Sequence, residues 1–132
     1  MNISEVCKKL NLSQDTLRYY EKISLVPKIA RNDGGFREYS EIDCQRIAFV
    51  RWMRDAGMSI ELLTQYIAMA CDGGAIEIRK NILCELRDQL ARRIDEEQET
   101  LRLLDERIKE YETHGALEEE KLFCSNSSHL CD

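Results

Sequence analysis

A chain of 132 residues has room for one domain with an appendage, and 43% hydrophobic content with one proline, 7% aromatics and 33% charged residues points to exposed or coiled helices. No apolar run approaches bilayer length and the N-terminus lacks the basic-then-apolar order of a secretion signal, so no membrane partner is expected. The expected location is the cytoplasm, where six cysteines are mostly reduced thiols.

The net charge of −6 is unevenly placed. Residues 1–60 carry ten Lys/Arg against eight Asp/Glu, whereas residues 61–132 carry nine against seventeen. A polyanion could be met only by the first half, and a balance of +2 there calls for well-placed contacts and two copies per site. An enzyme is not expected. There are two histidines, His114 and His129, no nucleotide-binding glycine fingerprint and no helical pair of metal-binding histidines.

In chain order, Asn2 with Glu5 three residues on predicts a capping box and a helix over about Ser4–Leu10, with Ile3, Val6, Cys7 and Leu10 on its apolar face. Asn11-Leu12-Ser13 is a turn. Ser13 caps a second helix ending near Glu21, with Leu12, Leu17 and Tyr20 inward and Gln14, Asp15 and Arg18 outward. Val26-Pro27 forces an extended exit. A hairpin follows, with strands at about Ile29–Arg31 and Phe36–Tyr39 turned at Asn32-Asp33-Gly34-Gly35. Ser40 with Asp43 caps a third helix whose expected buried stripe is Ile42, Ile47, Val50 and Met53, stopping at Ala56-Gly57. Ser59 caps a fourth through about Met69, with Ile60, Leu62, Leu63, Tyr66 and Ile67 apolar, and Cys71-Asp72-Gly73-Gly74 marks the domain boundary.

From about Ala75 to Glu112 there is neither Gly nor Pro, which allows a helix roughly 50 Å long. Leu83, Leu86, Leu90, Ile94, Leu101, Leu104, Ile108 and Tyr111 form its seam; with Glu97 included, the steps are 3, 4, 4, 3, 4, 3, 4, 3. This is a heptad pattern with one stutter near Leu90. One helix cannot bury such a stripe against itself, so the same helix of a second copy is the expected cover. Thr113-His114-Gly115 ends it, and an acidic, then Ser/Asn-rich tail follows. The fold class expected is mainly α: a winged helix-turn-helix domain over 1–70 (helix-turn-helix about 3–22, β-hairpin wing about 29–39), a dimerisation helix over 75–112 and a tail over 113–132.

Helix, turn, helix and wing suit a device that lays one helix in a DNA groove while a hairpin holds flanking phosphates. Gln14 and Thr16 lie in the first turn of the second helix, where base contacts arise, although Thr16 also suits a structural role. Arg18 can reach a guanine edge or a phosphate, or pair with Asp15 or Glu21 on its own helix. Of Tyr19 and Tyr20, one packs inward and the other offers its hydroxyl to a phosphate. Period two places Arg37 and Tyr39 on one face of the hairpin strand, expected to meet phosphate. Lys22, Lys28 and Arg31 are further phosphate candidates. A coiled-coil adaptor for protein partners would need none of Arg18, Arg37 or Tyr39.

With these pieces in order, the chain resembles the MerR family of bacterial transcription regulators. The matching runs are Ile3-Ser4-Glu5-Val6, Leu12-Ser13, Thr16-Leu17-Arg18-Tyr19-Tyr20-Glu21, Gly35-Phe36-Arg37-Glu38-Tyr39 and Arg54-Asp55-Ala56-Gly57-Met58-Ser59-Ile60. The resemblance runs residue by residue over about 1–70 and by architecture alone over 75–112. It implies an antiparallel coiled-coil homodimer on a palindromic promoter, with Tyr19 outward. It also implies an effector-driven distortion of an overlong promoter spacer, so that RNA polymerase is an indirect partner.

The effector is less legible. Cys124 and Cys131 with His129 between them could bind Zn or Cu(I), as metal-sensing members do with a cysteine pair after the long helix. The partner-helix ligand of those members is missing, since Ala75-Ile76-Glu77-Ile78 offers no thiol or hydroxyl. The closest look is to the aldehyde- and thiol-stress subgroup, which implies a stress response, yet its helix-3 cysteine is Trp52 here. Cys7, Cys44 and Cys84 read as small apolar core residues. With about twenty residues after the coil, a separate drug-binding domain is not expected.

Overall fold

A computed structural model describes residues 1–115 and 117–124. Among the described residues six helices run in order: α1 Ile3–Leu10, α2 Gln14–Lys22, α3 Glu41–Asp55, α4 Ile60–Cys71, α5 Ile76–His114 and α6 Leu117–Cys124. Contacts divide the chain into two compact units, Met1–Asp88 and Gln89–Asp132. The first unit runs past the Gly73-Gly74 breaker and takes in the opening turns of α5. Among the described residues no helix is long and apolar enough to cross a membrane.

In the first unit, side-chain caps start each helix where the sequence asks for one. Asn2 and Glu5 form the capping box of α1, Ser40 and Asp43 that of α3, and Ser13 and Ser59 accept from the third residue of α2 and α4. Asn11 closes α1 at φ 53°, a conformation asparagine tolerates, and the chain turns within three residues into α2. The core gathers Val6 of α1, Leu17 and Tyr20 of α2, Leu25, Val26 and Ile29 of the exit segment, Ile47 and Val50 of α3, Met58, and Leu63 and Tyr66 of α4. Phe49 stacks on Tyr66 with ring centres 6.0 Å apart.

Two expected core assignments change. Ile42 is exposed, because the five-residue step from Ile42 to Ile47 leaves the helical stripe; Asp43 and Cys44 occupy the inward positions instead. Leu86, expected on the dimer seam, is 9% exposed and belongs to the core of its own unit, where Ile82 packs beside it.

The expected two-stranded wing is reduced to one antiparallel bridge, Arg31–Arg37, and no named strand forms among the described residues. Asn32 N–H donates to Phe36 O and Glu38 N–H to Ala30 O, both at 2.8 Å. The ladder stops because the next donors are engaged by side chains. Phe36 N–H goes to Asn32 Oδ1 at 3.1 Å, and Ser40 N–H goes to Asp43 Oδ2 at 2.9 Å in the α3 capping box. Gly35, at φ 82°, makes the turn that an L side chain would resist.

In the second unit, Leu101, Leu104, Ile108 and Tyr111 are all more than half exposed. Arg107 pairs with Glu118 at 3.2 Å and the Tyr111 hydroxyl donates to Glu119, which ties α6 to the end of α5. Arg102 bridges Glu99 and Glu106 along the helix surface.

Candidate nucleic-acid interface

The turn brings the first residues of α1 beside the first turns of α2. Gln14 Nε2 donates to Ser4 Oγ at 3.4 Å, and Gln14 Oε1 accepts from Arg18 Nη2 at 3.1 Å. A second, longer contact joins Arg18 to Asp15 at 3.5 Å. Both partners of that pair are exposed, so it contributes little and can be exchanged for a ligand group. Thr16 serves the cap: its N–H donates to Ser13 Oγ and its hydroxyl lies 2.8 Å from the same oxygen. Of the two tyrosines, Tyr19 is 47% exposed and Tyr20 is buried in the core.

Across from α2 stands the hairpin, and between them is a cleft of about 540 Å³. It is lined by Asn2, Ile3, Ser4, Gln14, Arg18, Arg31, Asn32, Phe36 and Arg37. Three guanidinium groups therefore share one concave surface with no carboxylate among its lining residues. Phe36 projects from the hairpin tip and is 73% exposed. Arg31 Nη1 donates to Gly35 O at 2.7 Å, which pins that arginine along the turn. Lys22 and Lys28 are exposed and outside the lining.

Two expected contacts are corrected. Tyr39 is 3% exposed, so it cannot meet a phosphate; its face of the hairpin turns toward the core, and burial pushes its hydroxyl pKa up. That hydroxyl finds no hydrogen-bond partner among the described residues. Tyr20 is the inward member of its pair, as the helical period had it, and is likewise withdrawn from any phosphate, its hydroxyl also pushed up by burial. Arg37 shares the inward face but lies at its edge, where its Nε donates to Glu21 Oε1 at 2.6 Å. Sequence reasoning offered Glu21 only to Arg18 and missed Arg37, because a helix-end carboxylate carries no local sign that a hairpin sixteen residues on will return to it. Burial alone would raise the Glu21 carboxyl. The hydrogen bonds from Arg37 and the Ile29 N–H, with the charges of Arg37 and Arg31, outweigh that and hold it below the usual carboxylate range.

Of the metal candidates, only Cys124 falls on the described residues. Cys124 ends α6, while His129 and Cys131 lie outside the described residues. Among the described residues no group of three His, Cys, Asp or Glu could hold a metal ion. Trp52, at the position of the stress-subgroup cysteine, is exposed on α3.

The chain is similar to known proteins in both sequence and fold. The MerR HTH family regulatory protein profile matches residues 1–70. The chain is 45% identical over 91 residues to the HTH-type transcriptional regulator AdhR of Bacillus subtilis, covering 68% of this chain and 65% of AdhR. It is 39% identical over 70 residues to the HTH-type transcriptional regulator ZntR of Escherichia coli, covering 53% of this chain and 50% of ZntR. The matches thus span less than two thirds of these curated relatives. A MerR family regulator structure from Listeria monocytogenes superposes with TM-score 0.72 at 42% identity, over 98% of each chain. HiNmlR, a MerR family regulator lacking the sensor domain and bound to promoter DNA, shares the fold with TM-score 0.82 at 24% identity, over 89% of each chain.

Proposed function

The chain belongs to the MerR HTH family of regulatory proteins, and from that premise we propose that it is a sequence-specific DNA-binding transcriptional regulator acting as a homodimer on a palindromic promoter. The observation that carries the reading is the carboxylate-free cleft between α2 and the hairpin, with Arg18, Arg31 and Arg37 on its walls. A duplex backbone presents a phosphate row to such a surface, and an exposed α2 face with Gln14 and Arg18 presents groups that read base edges. The matched relatives AdhR and ZntR are named transcriptional regulators, and HiNmlR is bound to promoter DNA.

Two copies are supported by the uncovered seam of Leu101, Leu104, Ile108 and Tyr111. Pairing of that seam gives two heads, which suits a site with dyad symmetry. Regulation then follows from distortion of the promoter spacer, which changes how RNA polymerase engages it; the protein does no chemistry of its own and works in the cytoplasm, where the promoter is.

The test is a footprint and gel shift on the duplex immediately upstream of its own reading frame, at several salt concentrations, against a random-sequence duplex. One protected site with dyad symmetry, with affinity falling steeply as salt rises, is expected. Equal affinity for both duplexes would remove the claim of sequence specificity.

A further inference from the structure

The hairpin is too small to hold its own position. It has one bridge and two backbone hydrogen bonds between its legs, and an isolated hairpin of that size is marginal in water. Its outer edges are anchored instead. On the return leg Tyr39 N–H donates to Met1 O at 2.7 Å. On the outgoing leg Ile29 N–H donates to Glu21 Oε2 at 3.1 Å. The other oxygen of the same carboxylate accepts from Arg37 Nε at 2.6 Å, on the return leg. One side chain in the last turn of α2 therefore grips both legs. The pair is well shielded, with the Glu21 and Arg37 side chains 11% and 22% exposed.

The consequence for Arg37 is geometric. A guanidinium offers donors in a fixed planar fork, and here the Nε donor is committed to Glu21. The terminal nitrogens hold no partner among the described residues, and Arg37 lines the cleft. We infer that Glu21 is a positioning residue for DNA binding: it fixes the hairpin on α2 and holds Arg37 through Nε, so that the terminal nitrogens stand ready for a backbone phosphate. The inference rests on the regulator reading and goes beyond it by naming a carboxylate, which would ordinarily oppose DNA, as a contributor to affinity. Simple electrostatics makes the opposite forecast, since removing a negative charge near a phosphate row should tighten binding.

That difference in sign makes the test. Parent, E21Q, R37M, R37K and E21Q/R37M are titrated on the duplex upstream of the reading frame and on a random-sequence duplex, across a salt series, with thermal unfolding recorded for each. Glutamine keeps an acceptor for the Ile29 N–H but loses the charge that holds Arg37. E21Q is expected to weaken binding about tenfold on both duplexes, and to lower the slope of log affinity against log salt by about one. In the R37M background the same change is expected to cost under about twofold, because Glu21 acts through Arg37. R37K keeps the charge without the fork and is expected to lose a similar factor to E21Q, which covers the case of an E21Q that folds poorly. Parent-like or tighter binding by E21Q, an equal cost in both backgrounds, or parent-like binding by R37K overturns the assignment while the parent still footprints. A parent with no footprint on any promoter overturns the regulator reading itself, and this assignment with it.

Discussion

Residues 1–88 and residues 89–132 use the same apolar side chains in opposite ways. Leu17 and Leu63 sit in the first unit at 2% and 0% exposure, each in a core built by α1–α4, the exit segment of α2 and the opening turns of α5. Leu101 and Leu104 sit in the second at 58% and 56%. Fully burying a leucine is worth about 1.5–3 kcal/mol, so the first unit gains that from its own chain and the second leaves it unclaimed. The lesson is that burial is divided along the chain: the first unit covers its leucines itself, and the second leaves Leu101 and Leu104 to the cover that the proposed dimer would supply.

The largest effect expected from that division is on assembly. Replacing Leu101 and Leu104 with Asp sets four carboxylates into a paired seam, and should give monomers by sedimentation and abolish promoter binding, with the helical content of the head intact by circular dichroism. An undisturbed dimer would mean that the seam lies elsewhere. Next in size is Leu63→Ala, which should destabilise the head by about 2–5 kcal/mol in a denaturant titration, through lost burial and the cavity left behind. Leu101→Ala should leave the unfolding of the isolated subunit nearly unchanged, and an equal cost at the two positions would erase the contrast.

Smaller effects sharpen the picture within the head. Arg18→Ala should cost about 1–3 kcal/mol of binding and relax the choice of sequence, measured by competition between matched and altered duplexes. Glu21 gives a pH signature. Its carboxyl is held below the ordinary range in the fold, so its contribution to stability is full above the unfolded value near 4.5 and is lost as pH falls through the lower folded value. The stability difference between parent and E21Q should therefore be constant from neutral pH down to about 4.5 and close below it; a difference that grows on acidification would reverse the sign of the pairing. The smallest effect is Tyr39→Phe. Its buried hydroxyl has no partner among the described residues, so removing it should leave stability level or slightly raised and binding unchanged. A loss of promoter affinity would return Tyr39 to the interface.

Much of the head could be read from residue order because its signals are local. Asn2, Ser13, Ser40 and Ser59 each announce a helix start, and each caps one. The outward positions of Gln14 and Arg18 followed from a 3.6-residue period. The hairpin resisted the same treatment. Period two correctly put Arg37 and Tyr39 on one side, yet only tertiary contacts decide whether that side faces water or core, and here Glu21 and the packing around Tyr39 turn it inward. Leu86 failed for a related reason. It fits the heptad seam in sequence, but the opening turns of α5 pack within the first unit, where Leu86 joins the core.

The most direct measurement is the mass of the intact chain by light scattering, alone and then on a duplex carrying its footprinted site. The account predicts two subunits in solution at working concentration and two chains on each duplex, one head to each half-site. A single-subunit mass in solution, with one chain on each duplex, would contradict it.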